Sequence, residues 1–202
     1  MTRQNVVRGY GPLDVFLAKQ RHKIAKNKIK SANKTGRILD VGCGNYPLFL
    51  LNVNFSEKYG LDKISHNKPD ENIIKQKITL IDCNFEEVEK FPFENDYFDV
   101  VTMLAVFEHI VPENLVKIHK EIYRILKRDG IYILTTPAFW TDGLLRTLAK
   151  LKLISDTEIK DHKGSYSCSS ISSVLQASGF SKKKLRLGHF ELFMNNWATA
   201  VK

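Results

Sequence analysis

Asp40, Asp62 and Asp82 each close a short apolar run, and chemistry is most readily read from these three positions. Asp40 opens the stretch Asp40-Val41-Gly42-Cys43-Gly44, in which two glycines let the backbone turn sharply and approach a ligand that a β-carbon would block. Asp62 follows Gly60-Leu61, and an acid there suits both hydroxyls of a ribose. Asp82 is placed to accept from an adenine amino group, with the backbone N–H of Cys83 offered to the ring. One acid at a strand end can equally cap a turn. Three at successive strand ends point to a nucleotide-like ligand. His109 and His162 are the candidates for moving a proton, because imidazole titrates near neutrality. Each reads equally well as a histidine bonded to nearby backbone. Arg21 reads as a solvated surface cation.

These residues need elements to hold them. Leu13, Phe16, Leu17, Ile24 and Ile29 lie near helical spacing. The period then changes to short apolar runs that predict buried strands at Arg37–Val41, Lys58–Asp62, Ile78–Asp82, Phe98–Leu104 and Ile131–Thr135. Between the last two, Leu115, Ile118, His119, Ile122, Ile125 and Leu126 form one face of a helix, with Pro112 in its first turn and Asp129-Gly130 after its end. A late helix around Ile171, Val174 and Leu175 stops at Gly179. Two final strands are expected near Lys184–Phe190 and Trp197–Val201, and the gap between them is too short for a crossover helix. Alternating strands and helices imply a parallel sheet covered on both faces, with one late strand antiparallel.

Composition narrows the class. The 202 residues carry 43% hydrophobic and 26% charged side chains, as a globular protein does. No run approaches the ~20 apolar residues of a membrane span, and the polar N-terminus lacks the apolar core of a signal peptide. Cys43, Cys83 and Cys168 are scattered and odd in number, which suits reduced thiols in the cytoplasm. Neither a CxxC pair nor HExxH occurs. The net charge of +9 is concentrated in residues 19–37 and 182–186. It is compatible with nucleic acid, a nucleotide sugar or an acidic lipid surface, and with a solvated face that has no anionic partner.

Taken in order, these motifs resemble class I S-adenosylmethionine-dependent methyltransferases. Ile38-Leu39-Asp40-Val41-Gly42-Cys43-Gly44 is similar to their first motif, and residues 91–101 (FPFENDYFDVV) to the lead into their fourth strand. Phe107-Glu108-His109, Leu126-Lys127-Arg128-Asp129-Gly130 and Ala177-Ser178-Gly179-Phe180 resemble the motifs that follow. The resemblance implies a Rossmann-like α/β fold with a seven-stranded sheet, order 3-2-1-4-5-7-6, strand seven antiparallel and helices on both faces. It implies that Asp40, Gly42, Cys43 and Gly44 line the methionine part of S-adenosyl-L-methionine. Asp62, with Lys63 beside it, would hold the ribose, Asp82 and Cys83 the adenine, and Leu104 the methionine through its backbone. Arg21 would meet the cofactor carboxylate. Tyr46 departs from the family, which often has a third glycine there.

The expected organisation is one methyltransferase domain: an N-terminal helix over 1–36, a cofactor-binding core over 37–136, a lid over 137–166, and a C-terminal helix and strands over 167–202. The lid begins with Phe139 and Trp140, continues through the apolar positions Leu144, Leu145, Leu148 and Leu151, and has a capping-box pattern at Ser155–Glu158. With residues 188–191 and 195–196 it resembles methyltransferases of bacterial surface-glycan and lipid-linked sugar pathways. Ubiquinone-pathway O-methyltransferases resemble the Glu108-His109 region but carry a further glutamate where this chain has Ala105, so no required metal is expected. The expected acceptor is a small-molecule hydroxyl, of a sugar or glycan intermediate ahead of a quinone-like phenol. An RNA methyltransferase and a non-catalytic partner subunit are the alternatives. A peripheral membrane contact is compatible with the basic helix, and oligomeric state is left open.

Overall fold

The computed structural model describes residues 13–30, 33, 35–64, 70–151, 153–154 and 161–202, with backbone alone at 142, 144, 146 and 149. The Ser155–Glu158 capping pattern lies outside them. A helix α1 (Asp14–Lys28) leads into strand β1 (Arg37–Val41), a short helix α2 (Leu48–Leu51), β2 (Glu57–Asp62), a short helix α3 (Glu71–Lys75), β3 (Ile78–Asp82) and β4 (Phe98–Leu104). Helix α4 (Leu115–Ile125), β5 (Leu126–Pro137), α5 (Asp142–Lys150), α6 (Cys168–Ala177), β6 (Leu185–Phe190) and β7 (Asn195–Val201) complete the order.

The seven strands form one sheet in the order β3-β2-β1-β4-β5-β7-β6, as the sequence motifs imply. Strands β1 to β5 pair in parallel, and β7 runs antiparallel to both β5 and β6. The chain runs from β1 outward through β2 to β3 and then crosses back to β4 on the other side of β1, so a crevice opens at the carboxyl ends of β1, β2 and β4. Two apolar clusters cover the sheet. One gathers Leu39, Val101, Met103, Phe107, Ile118, Ile122, Tyr132 and Ile171. The other gathers Ala25, Ile38, Phe49, Leu50, Val100 and Ile133. Among the described residues, no helix is long and apolar enough to cross a membrane.

Several boundaries differ from the periodic pattern. Leu126 continues the apolar face of α4 in sequence, but its backbone is extended and pairs with Phe98, so it begins β5. Pro112 lies in a 3-10 turn ahead of α4, and not within the helix proper. Strand β7 starts at Asn195, which leaves four residues to reverse the chain, with Glu191, Leu192 and Phe193 all at positive φ. Arg124 and Glu121 of α4 hold the segment before β4 by side chain to main chain bonds to Phe91 and Phe93. The capping box of α6, in which Ser167 and Ser170 exchange bonds, was not singled out in the sequence. Gly179 ends that helix at φ 110°, as expected of a C-terminal glycine.

His119 is fully buried on α4. Its Nδ1 lies 2.7 Å from the Leu115 carbonyl oxygen and its Nε2 3.0 Å from the Tyr132 hydroxyl. Nδ1 therefore carries the hydrogen and Nε2 accepts from Tyr132. Burial lowers the imidazole pKa from 6.5 to about 4, against the weaker opposing effect of the Leu115 carbonyl. The unfolded chain then binds the extra proton first on acidification, so this contribution is present above pH ~6.5 and is lost as pH falls toward ~4. We expect His119→Phe to flatten the stability profile across that interval. The native protein should lose roughly 3 kcal/mol more than the variant between pH 7 and 4. Denaturant melts of both proteins at stepped pH measure this, and parallel profiles would contradict it.

Candidate active site

The strand-end acids meet at the crevice, and each is engaged. Asp62 is buried at the end of β2. Its Oδ2 accepts from the Gly44 N–H at 2.7 Å and its Oδ1 from the Lys63 N–H at 2.7 Å. The β1 loop is thereby tied to the β2 end. Asp40 is also buried, and the Thr102 hydroxyl of β4 donates to its Oδ1 at 2.6 Å. Burial raises the Asp40 pKa to about 7, the Thr102 bond opposes the rise, and the nearby charge of Asp62 adds to it. Asp82 is exposed, and its Oδ1 accepts from the Ile64 N–H at 3.0 Å.

The glycines have separate jobs. Gly42, at φ 79°, has Val106 packed where a β-carbon would project, so the β1 loop lies against the exit of β4. Gly44 adopts φ 69° and turns its N–H to Asp62. Gly60 leaves room for the Cys43 sulfur, so the Cys43 side chain packs over β2 and only its backbone is available to line the loop. The Cys83 N–H, expected to face an adenine, instead donates to the Asp62 carbonyl at 2.9 Å and extends the β2–β3 pairing. That bond follows from the register, which pairs Asp62 with Asp82. Tyr46 packs against the cluster of Phe49, Leu50 and Ile38, which explains how a large residue is accommodated after the second glycine.

The remaining candidates divide. Leu104 ends β4 half-buried, and Ala105 after it turns at φ 55° while its N–H bonds the Thr135 carbonyl. Lys63 is largely exposed and lies 4.0 Å from Glu87, a surface pair of little energetic weight. Arg21 is half-buried on α1, and its charge favours the ionised form of Glu191, whose pKa burial raises.

His109 and His162 come together, with ring centroids 5.0 Å apart. His109 lies in a 3-10 turn just after β4, and its Nδ1 is 3.3 Å from the Asp161 carbonyl oxygen. Glu108 adjoins them and is buried, and its Oε2 has no hydrogen-bond partner among the described residues. The Glu108 carbonyl accepts from the N–H groups of Lys163, at 2.8 Å, and Gly164, at 3.2 Å. Glu108, Pro137, Ala138, Thr141, His162 and Gly164 are among the residues lining a cleft there. Glu108 was not among the candidates read from the sequence. Its signal was an acid beside His109 in the mainly apolar stretch Ala105–Ile110.

Comparison with known proteins agrees with this architecture. Residues 39–134, from β1 to β5, match the methyltransferase-domain family. The chain is 31% identical over 133 residues to an uncharacterized protein from Methanocaldococcus jannaschii, covering 59% of this chain and 48% of that one. It thus spans about half the length of that curated relative. A candidate O-methyltransferase from Nostoc punctiforme superposes with TM-score 0.66 at 20% identity, over 92% of this chain and 57% of that chain. Phosphoethanolamine N-methyltransferase 2 of Haemonchus contortus, in complex with S-adenosyl-L-methionine, superposes with TM-score 0.65 at 15% identity, over 91% of this chain and 52% of that chain. The solved structures speak to the fold alone. The fold is one shared with solved S-adenosylmethionine-dependent methyltransferases. Residues 39–134 are the part of this chain that resembles a methyltransferase domain.

The donor chemistry at the crevice fits the methyl donor of that class. Each Asp62 oxygen accepts one backbone N–H, and a carboxylate oxygen can accept more than one hydrogen bond, as a ribose hydroxyl would require. Asp62→Ala should weaken S-adenosylmethionine binding about tenfold or more, as loss of charged hydrogen bonds costs ~1.5–3 kcal/mol. Titration calorimetry on a folded variant tests this, and unchanged affinity would remove Asp62 from the site. Gly42→Ala should lower stability by about 1–3 kcal/mol, because a methyl there meets Val106 at a strained φ. A denaturant melt matching the native protein's would show that the loop has room.

Proposed function

We propose that this chain transfers a methyl group from S-adenosylmethionine to a hydroxyl of a small-molecule acceptor, with a sugar or glycan intermediate ahead of a quinone-like phenol. The observation that carries this reading is the pairing of His109 with His162 beside the cleft at the carboxyl ends of β4 and β5. S-adenosylmethionine, when bound, supplies a methyl carbon made electrophilic by its sulfonium. In this reading Asp62 and Asp82 hold the ribose and adenine, and the backbone of 42–44 with Leu104 borders the methionine. His109 or His162 takes the acceptor proton, a role typically worth about 10²–10⁴ in rate. Holding the acceptor in line contributes roughly 7–11 kcal/mol more.

Acceptor choice is assigned to residues 137–166. Phe139 and Trp140 are 59% and 50% exposed, flat apolar surfaces at the start of that segment. Leu145 and Leu148 of α5 pack with Leu13, Leu17 and Ile154, so the segment rests on α1. Leu151, expected on the same apolar face, is exposed, and the Leu144 side chain lies outside the described residues. The basic residues near β6 favour no RNA reading by themselves. Lys184 lies 3.7 Å from Asp129 and Lys202 2.6 Å from Asp96, so acids of the chain offset part of that charge.

Incubation with isotope-labelled S-adenosylmethionine and separated cell fractions tests the reading. Label is expected in a glycan or small-molecule fraction, and label confined to RNA would replace it. Trp140→Ala should reduce turnover or acceptor binding more than donor affinity, with the melting temperature close to native. An equal fall in donor affinity would make Trp140 structural.

A further inference from the structure

We propose that Glu108, His109 and His162 form a binding site for a divalent transition-metal ion of the zinc type. The three residues each offer one ligand atom, and these atoms lie within 4.8 Å of one another. One carboxylate and two imidazoles are a donor set that suits zinc and its neighbours, whereas magnesium and calcium favour oxygen ligands alone.

A second observation points to a ligand independently of this clustering. Glu108 is 2% exposed, yet its Oε2 has no hydrogen-bond partner among the described residues. An uncompensated buried carboxylate oxygen is costly, and a cation beside it would remove that cost. The Tyr166 hydroxyl, also buried without a hydrogen-bond partner there, does not relieve it. The charge of Glu108 contributes, after burial, to raising the Tyr166 pKa.

The surroundings orient the ligands. The Asp161 carbonyl beside His109 Nδ1 makes that nitrogen the proton carrier, leaving the Nε2 lone pair for a metal. The main-chain bonds from Lys163 and Gly164 to the Glu108 carbonyl fix the segment bearing His162. Glu86 adds a second tie, since it accepts from the Val111 N–H at 3.0 Å and from Lys163 Nζ at 3.2 Å. The 4.8 Å spread exceeds the about 3.3 Å between neighbouring ligands of a tetrahedral zinc site, so loading draws the side chains together. His162 is half-buried in a connecting segment, where a side-chain rotation can supply that movement.

The expectation of no required metal rested on Ala105 standing where a glutamate would be. His162 offers a third ligand from beyond β5, which that comparison within one short motif did not weigh. With a metal bound, His109 and His162 would hold it in place of taking the acceptor proton; the ion would favour the ionised oxygen of the proposed acceptor, whose proton would pass to bulk water. That consequence rests on the transfer reading, but the binding of the ion does not.

The test uses the metal-stripped full chain with neither donor nor acceptor present. Titration with zinc(II), and with cobalt(II) followed by visible absorption, should show one equivalent bound with low-micromolar affinity or better. Glu108→Gln and His162→Ala should each weaken binding about tenfold or more. His189→Ala should bind as the native protein does. Melting of each unliganded variant checks folding, and His162→Ala, in a half-buried connecting segment, keeps the test decisive if Glu108→Gln unfolds. Failure of the native chain to bind either ion at millimolar concentration would overturn the site, as would equal affinity in a folded His162→Ala variant. Methyl-label uptake by the native chain is measured separately, so loss of the metal site and loss of the transfer reading give different results.

Discussion

A parallel sheet buried on both faces confines the chemistry of this protein to the ends of its strands. Inside the sheet every backbone polar group is committed to a neighbour, and side chains on both faces are committed to packing. Val41, Leu61 and Met103 are fully buried, and the residues that could meet a ligand cluster just beyond them. The reversal of strand order between β1 and β4 then decides which of those ends face a common crevice.

Within that crevice the chain places acids close together. Burial makes Asp40 costly to ionise and raises its pKa to about 7, and the nearby charge of Asp62 adds to that cost. The structure offsets the cost with hydrogen bonds: Thr102 to Asp40, and two backbone N–H groups to Asp62. The same bonds set the shape of the glycine loop. In the proposed reading the residue that binds the ligand is also the one that holds the loop, so affinity and loop order should change together when it is altered.

The second chemical centre is assembled differently. Glu108 and His109 arrive together on a short turn after β4, while His162 is returned from beyond β5 by main-chain bonds to Glu108. Glu86, far from both in the chain, grips Lys163 and the start of the loop before α4. The segment after β5 is thus anchored at one end to this cluster and at the other to α1, where Leu13 bonds the Leu153 carbonyl. Phe139 and Trp140 are exposed between the end of β5 and α5.

The sequence alone determined the strands, the long helices and the acids at the strand ends, because those are local patterns. Apolar runs of five to seven residues, a helical stripe on α4 and a glycine after α6 are legible without knowing what packs against what. The strand order followed from the resemblance carried by the ordered motifs. Only the tertiary structure decided that Leu126 is a strand residue, since its extended backbone is stabilised by pairing with Phe98. Only it decided that the Cys43 side chain tucks over Gly60 and that the Cys83 N–H is spent on Asp62. The meeting of Glu108, His109 and His162 was equally invisible, because no local period relates residues on segments more than fifty positions apart. What joins them is hydrogen bonding between two connecting segments, and that geometry exists only once the sheet has brought the ends of β4 and β5 side by side.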